Sequence, residues 1–262
     1  MSPTIVLISG ASRGLGKGLL EIFLARPNHI VIAANRNADS PTSKALNDLP
    51  KGSGSRLIVV KVDSTVESEA FDAAKQLEAE GIDHLDIVIA NAGISFAWPT
   101  VADLKVADLR THMESNVYGV IWLYQATAPL LRKSDNPKWI TMGSGAGWLE
   151  VSAEVVHLPG TYLVAYMNQY PAPNAAYAPS KVAVHWLTKR INGEEDKIAA
   201  FITDPGWVQT DTGNTSAKHY GFEQAPLPII DSVTGLVSVI DVATKESHGG
   251  QLWGHDGKKQ AW

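Results

Sequence analysis

Tyr177 and Lys181 stand four apart in Tyr-Ala-Pro-Ser-Lys, a spacing that sets a phenol and an ammonium on one face of a helix. A cation beside a phenol favours the phenolate, so the pair is expected to exchange a proton nearer neutral pH than the ordinary tyrosine value of about 10. Such a group suits general acid catalysis on a carbonyl that is accepting hydride. Ser144, in Met142-Gly-Ser-Gly-Ala-Gly147, offers a second hydroxyl able to polarise the same oxygen. Taken singly, each has a plain alternative: a packed helix tyrosine, a lysine whose stem lies along apolar surface, a turn serine.

A hydride must come from somewhere, and the amino end of the chain supplies a candidate holder. Gly10-Ala-Ser12-Arg13-Gly14-Leu15-Gly16 follows the apolar run Ile5–Ile8 directly. In a dinucleotide-binding turn, Gly10 makes the bend, Gly14 lets backbone N–H groups approach a pyrophosphate, and Gly16 lets the next helix pack closely. The alternative is an ordinary glycine-rich turn between strand and helix. About twenty residues on, where an NAD enzyme carries an acid for the ribose 2′-hydroxyl, the chain has Asn35-Arg36-Asn37. Arg36 and Arg13 are expected to meet a 2′-phosphate, which favours NADPH over NADH; otherwise they are solvated surface charges. Asp63 is placed to accept from the adenine amine, and Asn91-Ala92-Gly93 makes another close-approach turn beside the cofactor.

The elements that would position these groups are legible in the pattern. Apolar runs at 5–8, 30–34, 57–62, 87–90, 139–142 and 198–202 barely alternate, as strands buried on both faces do. Between them, 14–24, 65–80, 113–131 and 175–191 space apolar residues three and four apart, as amphipathic crossover helices do. The alternation predicts a single-domain α/β chain, residues 1–262: a Rossmann-type, doubly wound parallel sheet with helices on both faces. Two stretches break the rhythm after strand ends, an insert at about 148–173 and a segment at about 213–228. Ligands of such sheets bind there, so both are candidate substrate walls, with Trp148, Tyr170, Asp204 and Trp207 as candidate contacts.

Composition narrows the function class. The chain is 45% hydrophobic and 19% charged with a net charge of −5, which gives no electrostatic reason to expect nucleic acid or an anionic membrane. It has no cysteine, so disulfides and thiolate chemistry are excluded, and its eight histidines lack zinc-type spacing, so no metal is expected. No run approaches the roughly 20 apolar residues of a membrane span. A cytoplasmic enzyme of small molecules fits best.

These motifs together resemble the short-chain dehydrogenase/reductase family, through Gly-x-x-x-Gly-x-Gly, Asn91-Ala-Gly, Asn116, Ser144, Tyr177-x-x-x-Lys181 and Pro205-Gly-Trp-Val-x-Thr210. The resemblance spans nearly the whole chain and looks most like sniffer-type carbonyl reductases and fungal ketoreductases of the norsolorinic-acid type. It implies Tyr177 as proton donor, Ser144 as carbonyl orienter, Lys181 as ribose binder and Tyr177 activator, and Asn116 as holder of a relay water. It also implies that Pro205, Gly206, Val208 and Thr210 meet the nicotinamide end, and that the helices carrying Asn116 and Tyr177 form a homodimer face. Trp122, Tyr124, His185 and Trp186 would serve that face, or else the core.

Three departures limit the transfer. Ser144 and Tyr177 lie much farther apart than the usual dozen residues, and the extra chain carries Tyr162, Tyr166 and Tyr170, as a substrate wall or as a packed surface loop. Asp204 stands where relatives have an uncharged or imidazole side chain; it would pair with a cationic substrate nitrogen or face solvent. Gly143 replaces a frequent serine. The expected activity is therefore NADPH-dependent reduction of a ketone or aldehyde of a hydrophobic molecule, with two alternatives: reduction of an iminium in a nitrogen heterocycle, or cofactor binding without turnover.

Overall fold

In a computed structural model the chain is described over residues 2–149 and 172–261. Among the described residues eight strands run β1 (Thr4–Ser9), β2 (His29–Asn35), β3 (Arg56–Lys61), β4 (Ile87–Ala90), β5 (Lys138–Met142), β6 (Ala199–Asp204), β7 (Leu252–Gly254) and β8 (Lys259–Gln260). They form one sheet in the order β3-β2-β1-β4-β5-β6-β7-β8, parallel throughout except for the antiparallel β7–β8 pair. The strand order reverses between β1 and β4, and a crevice opens there beyond the carboxyl ends.

Successive residues of one strand serve two cores. Ile5 and Leu7 pack into one apolar cluster, whereas Val6 and Ile8 pack into the other. This is why the apolar runs do not alternate. The first cluster is closed by α3 (Glu67–Ala79), α5 (Gly119–Leu131) and α6 (Ala178–Glu194), through Leu77, Leu123, Leu130 and Val184 among others. The second is closed by α1 (Gly14–Leu24) and α8 (Ile229–Val242), where Leu19, Phe23, Leu236 and Ile240 meet. Each such side chain contributes about 1.5–3 kcal/mol through burial. The short helices α2 (Pro41–Lys44) and α9 (Lys245–His248) lie on connections, α7 (Asp211–His219) follows β6, and α4 (Val106–Met113) precedes α5.

The helix expected over 113–131 begins where α4 ends at Met113 and consists of a π-helical turn, Glu114–Tyr118, followed by α5. Asn116 sits in that turn, a local widening that re-aims its side chain. The segment expected as an irregular wall at 213–228 contains most of α7. The last strands, β7 and the edge strand β8, lay outside the sequence expectation because three and two residues carry no readable pattern.

Candidate active site

The crevice has a volume of about 870 Å³ and is walled by the turns after β1, β4, β5 and β6 together with the start of α6. At its amino-terminal side, Gly10 and Gly14 adopt φ of 67° and 55°, left-handed values that glycine reaches without strain. A Cβ at Gly16 would lie 2.3 Å from the Gly10 carbonyl oxygen and 2.6 Å from Asn91 Nδ2. Asn91 Nδ2 donates to the carbonyl oxygens of Ser9 at 2.8 Å and Gly10 at 3.3 Å, and the Ser9 hydroxyl accepts from the backbone of Asn91 and Ala92. The β4 turn thus braces the glycine turn. Arg13, the residue before α1, makes no side-chain cap, and the first turn of α1 holds no acid, so the helix dipole is uncompensated where an anion would sit. These features fit a pyrophosphate: a glycine cradle that any Cβ would fill, beside the N-terminal end of a helix.

The two arginines behave differently. Arg36 is exposed and lines the mouth of the crevice. Arg13 Nη1 pairs with Asp211 Oδ2 at 2.9 Å, joining the start of α1 to the start of α7 across the cradle. Both partners are well exposed, so the pair is worth at most about 1 kcal/mol. Asn35, expected beside the cofactor, points away from the crevice: it is buried and its Nδ2 donates to Ser43 Oγ at 3.1 Å. Asp63 lines the crevice, with Oδ1 accepting from the Thr65 backbone and hydroxyl.

The proton-handling groups converge on the crevice floor. Ser144 follows β5 and Tyr177 stands at the start of α6; both line the crevice, and the Ser144 hydroxyl acts on the Tyr177 phenol there. The Ser144 oxygen also accepts from the Ala146 backbone at 3.1 Å, capping the start of the turn Gly145–Gly147. Lys181 Nζ donates to the Met142 carbonyl at 2.7 Å and lies 5.6 Å from the Tyr177 ring centroid. Burial pulls the Lys181 amine down to about 8, against the opposing charge of Asp204.

The expected lowering of the Tyr177 pKa does not appear in this structure. Burial pushes the phenol up, the Ser144 hydrogen bond opposes the shift, and the charge of Asp204 adds to it. The physical reason is that Lys181 is spent on a backbone carbonyl while packing around the half-buried phenol disfavours its charged form. Asn116 does not line the crevice. Both of its amide hydrogens are engaged, by the Ile94 carbonyl at 2.9 Å and by Ser180 Oγ at 3.0 Å, and its Oδ1 accepts from Ile94 N–H at 2.8 Å. It therefore locks the β4 turn to α6.

Asp204, expected to face solvent or a cationic substrate, does not face solvent. It is 7% exposed, and burial pushes its carboxyl up, against hydrogen bonds from the Gly206 backbone, the Gln260 side chain and the Gly145 backbone. Trp148 and Trp207 line the crevice; Tyr162, Tyr166 and Tyr170 lie outside the described residues. Pro205, Gly206, Val208 and Thr210 wall the same side, with Thr210 Cγ2 3.4 Å from a Cβ built at Gly14.

Sequence reasoning missed an aromatic wall: Trp98 packs on His219 at 5.1 Å and on Tyr220 at 6.2 Å, and Trp207 packs on Phe222 at 5.3 Å. Trp98 follows Asn91-Ala92-Gly93 by five residues, and that proximity was the available signal. Buried His112 was also missed; it stacks on Phe96 and meets the edge of Tyr177 at 6.0 Å. His185, assigned to a dimer face or the core, is buried, whereas Trp186 is exposed.

Known proteins place this geometry. The chain is 39% identical to the norsolorinic acid ketoreductase nor1 of Dothistroma septosporum, covering 99% of this chain and 92% of that one. Its fold matches the NADPH-bound carbonyl reductase from chicken fatty liver with a TM-score of 0.80 at 26% identity, over 100% of both chains. It matches the carbonyl reductase Sniffer of D. melanogaster with the same TM-score at 23% identity, again over 100% of both. Residues 4–157 match the family model described as short chain dehydrogenase. With its glycine turn, its Tyr177–Lys181 helix and that match in hand, the chain belongs to the short-chain dehydrogenase family of oxidoreductases.

Proposed function

We propose that the protein is an NADPH-dependent reductase of a ketone or aldehyde carbonyl on a hydrophobic small molecule, serving secondary metabolism. The observation that carries the reading is Ser144, Tyr177 and buried Lys181 gathered in one crevice whose other end is a glycine cradle. Bound NADPH would supply hydride to the carbonyl carbon. The residues that would hold it are Gly10, Gly14 and Gly16 at the pyrophosphate, Arg36 at the 2′-phosphate and Lys181 at the ribose.

The rest of the reaction belongs to this chain. The Ser144 hydroxyl and Tyr177 phenol donate to the carbonyl oxygen, and as the C=O π bond gives way the phenol proton passes to that oxygen. One C–H bond and one O–H bond form, the carbonyl is reduced, and a phenolate is left on Tyr177 beside the Lys181 ammonium. A phenol held protonated by burial suits this direction, since reduction starts from the acid form. The aromatic wall of Trp98, Trp207 and Tyr220 favours an apolar substrate. The named activities of the norsolorinic acid ketoreductase and carbonyl reductase relatives support the same class.

The reading includes a cytoplasmic homodimer, supported by exposed Tyr118 and Trp186 on the α5 and α6 side. Among the described residues no helix is long and apolar enough to cross a membrane. The test is NADPH consumption with hydrophobic ketones and aldehydes. Wild type is expected to turn over, and Tyr177→Phe to lose about 10²–10⁴-fold in kcat while keeping NADPH affinity. Turnover that survives Tyr177→Phe would remove the proton donor from this scheme.

A further inference from the structure

We infer that His185 is a positioning residue for Ser144: its imidazole, set in space that Gly143 and Gly147 leave open, accepts the Ser144 backbone N–H and holds the hydroxyl against Tyr177. The inference rests on the carbonyl-reductase reading for its kinetic consequence, but not for its geometry.

His185 lies one helical turn beyond Lys181 on α6, so Tyr177, Lys181 and His185 share a face directed at the loop after β5. It is 2% exposed, and its Nε2 accepts from Ser144 N–H at 3.3 Å. Ser144 is extended at this point, with φ of −173°. Its N–H therefore points down to the imidazole while its hydroxyl faces Tyr177. A buried N–H left without an acceptor is costly, so the loop is tied to the helix at the residue that must be placed.

Two glycines make room for the ring. A Cβ at Gly143 would lie 2.5 Å from His185 Nε2 and 2.4 Å from Ile202 Cγ2, and a Cβ at Gly147 would lie 2.8 Å from His185 Cε1. Neither approach is open to a real side chain unless the imidazole moves. The absence of a side chain at Gly143 thus leaves the space His185 occupies. Accepting an N–H requires a neutral ring with its proton on Nδ1. Burial, with the Lys181 charge adding to it, pushes the imidazole down to about 3, so it stays neutral wherever the enzyme is folded and working.

The test compares His185→Gln, whose amide oxygen reaches the place of Nε2, with His185→Phe, which fills the volume and accepts nothing. Crystal structures, NADPH affinity, kcat and KM are measured for each. In His185→Phe the Ser144 hydroxyl is expected to shift by about 1 Å and kcat to fall roughly 10- to 100-fold, with KM and NADPH affinity within about threefold of wild type. His185→Gln is expected to restore most of the loss. If phenylalanine disrupts folding, His185→Met carries the comparison.

Equal activities in the glutamine and apolar variants, or an unmoved Ser144 in the apolar variant, would overturn the inference. A wild type that reduces no carbonyl would sink the reductase reading instead, and the crystallographic comparison would still decide the role of His185.

Discussion

Gly16 and Gly18 lie two residues apart on α1 and should respond unequally to the same added methyl. A Cβ at Gly16 would sit 2.3 Å from the Gly10 carbonyl oxygen and 2.6 Å from Asn91 Nδ2, and both atoms are fixed by the hydrogen bonds that brace the glycine turn. To reach even 3.0 Å, helix and turn must part by roughly 0.7 Å, a strain worth about 1–3 kcal/mol in a close-packed interior. Alanine's better helix propensity returns about 1 kcal/mol at most. At Gly18 the nearest atoms are the Val233 and Ile229 methyls at 3.1–3.2 Å, side-chain ends that can yield.

Gly16→Ala is therefore expected to cost up to about 2 kcal/mol net, or up to roughly 8 °C in Tm for a chain of this size. It should weaken NADPH binding at least about tenfold, because the parted turn is the pyrophosphate cradle. Gly18→Ala should leave Tm within about 2 °C and NADPH affinity unchanged. Thermal denaturation and nicotinamide fluorescence titration read both variants. Wild-type affinity in Gly16→Ala, or equal losses in the two variants, would refute the assignment of the cradle.

Arg36→Ala should lose about tenfold or more in NADPH affinity with little change for NADH, whereas Arg13→Ala should lose less than about fivefold, because Arg13 is already paired with Asp211; parallel titrations of the four combinations decide it. Lys181 carries the pH dependence. With its amine pulled down to about 8, it is protonated below that pH and neutral above it, so a reduction that needs the ammonium holds at lower pH and declines as pH rises through about 8. Tyr177, pushed up by burial, remains a donor across that range and adds no limb of its own there. Initial rates from about pH 6 to about pH 10 at saturating NADPH check the sign, and a rate that rises with pH would contradict it.

Local patterns carried most of the fold and much of the candidate site. The apolar runs predicted β1 to β6 within about two residues, because a strand buried on both faces must be apolar throughout, and that property is visible one residue at a time. The glycine spacing and the Tyr177–Lys181 pair are likewise local, each confined to a single turn or helix face. What the tertiary structure decided depends on residues distant in sequence. Asp211, 198 positions away, occupies Arg13. Gln260 and Gly145 reach Asp204 and bury its carboxylate, so it does not face solvent. His185 sits beneath Ser144 only because α6 packs against the loop after β5. The Tyr177 pKa moved against expectation for the same reason: the pair's spacing fixes which charge is near, but desolvation is set by everything that closes over the phenol, and no short motif records that.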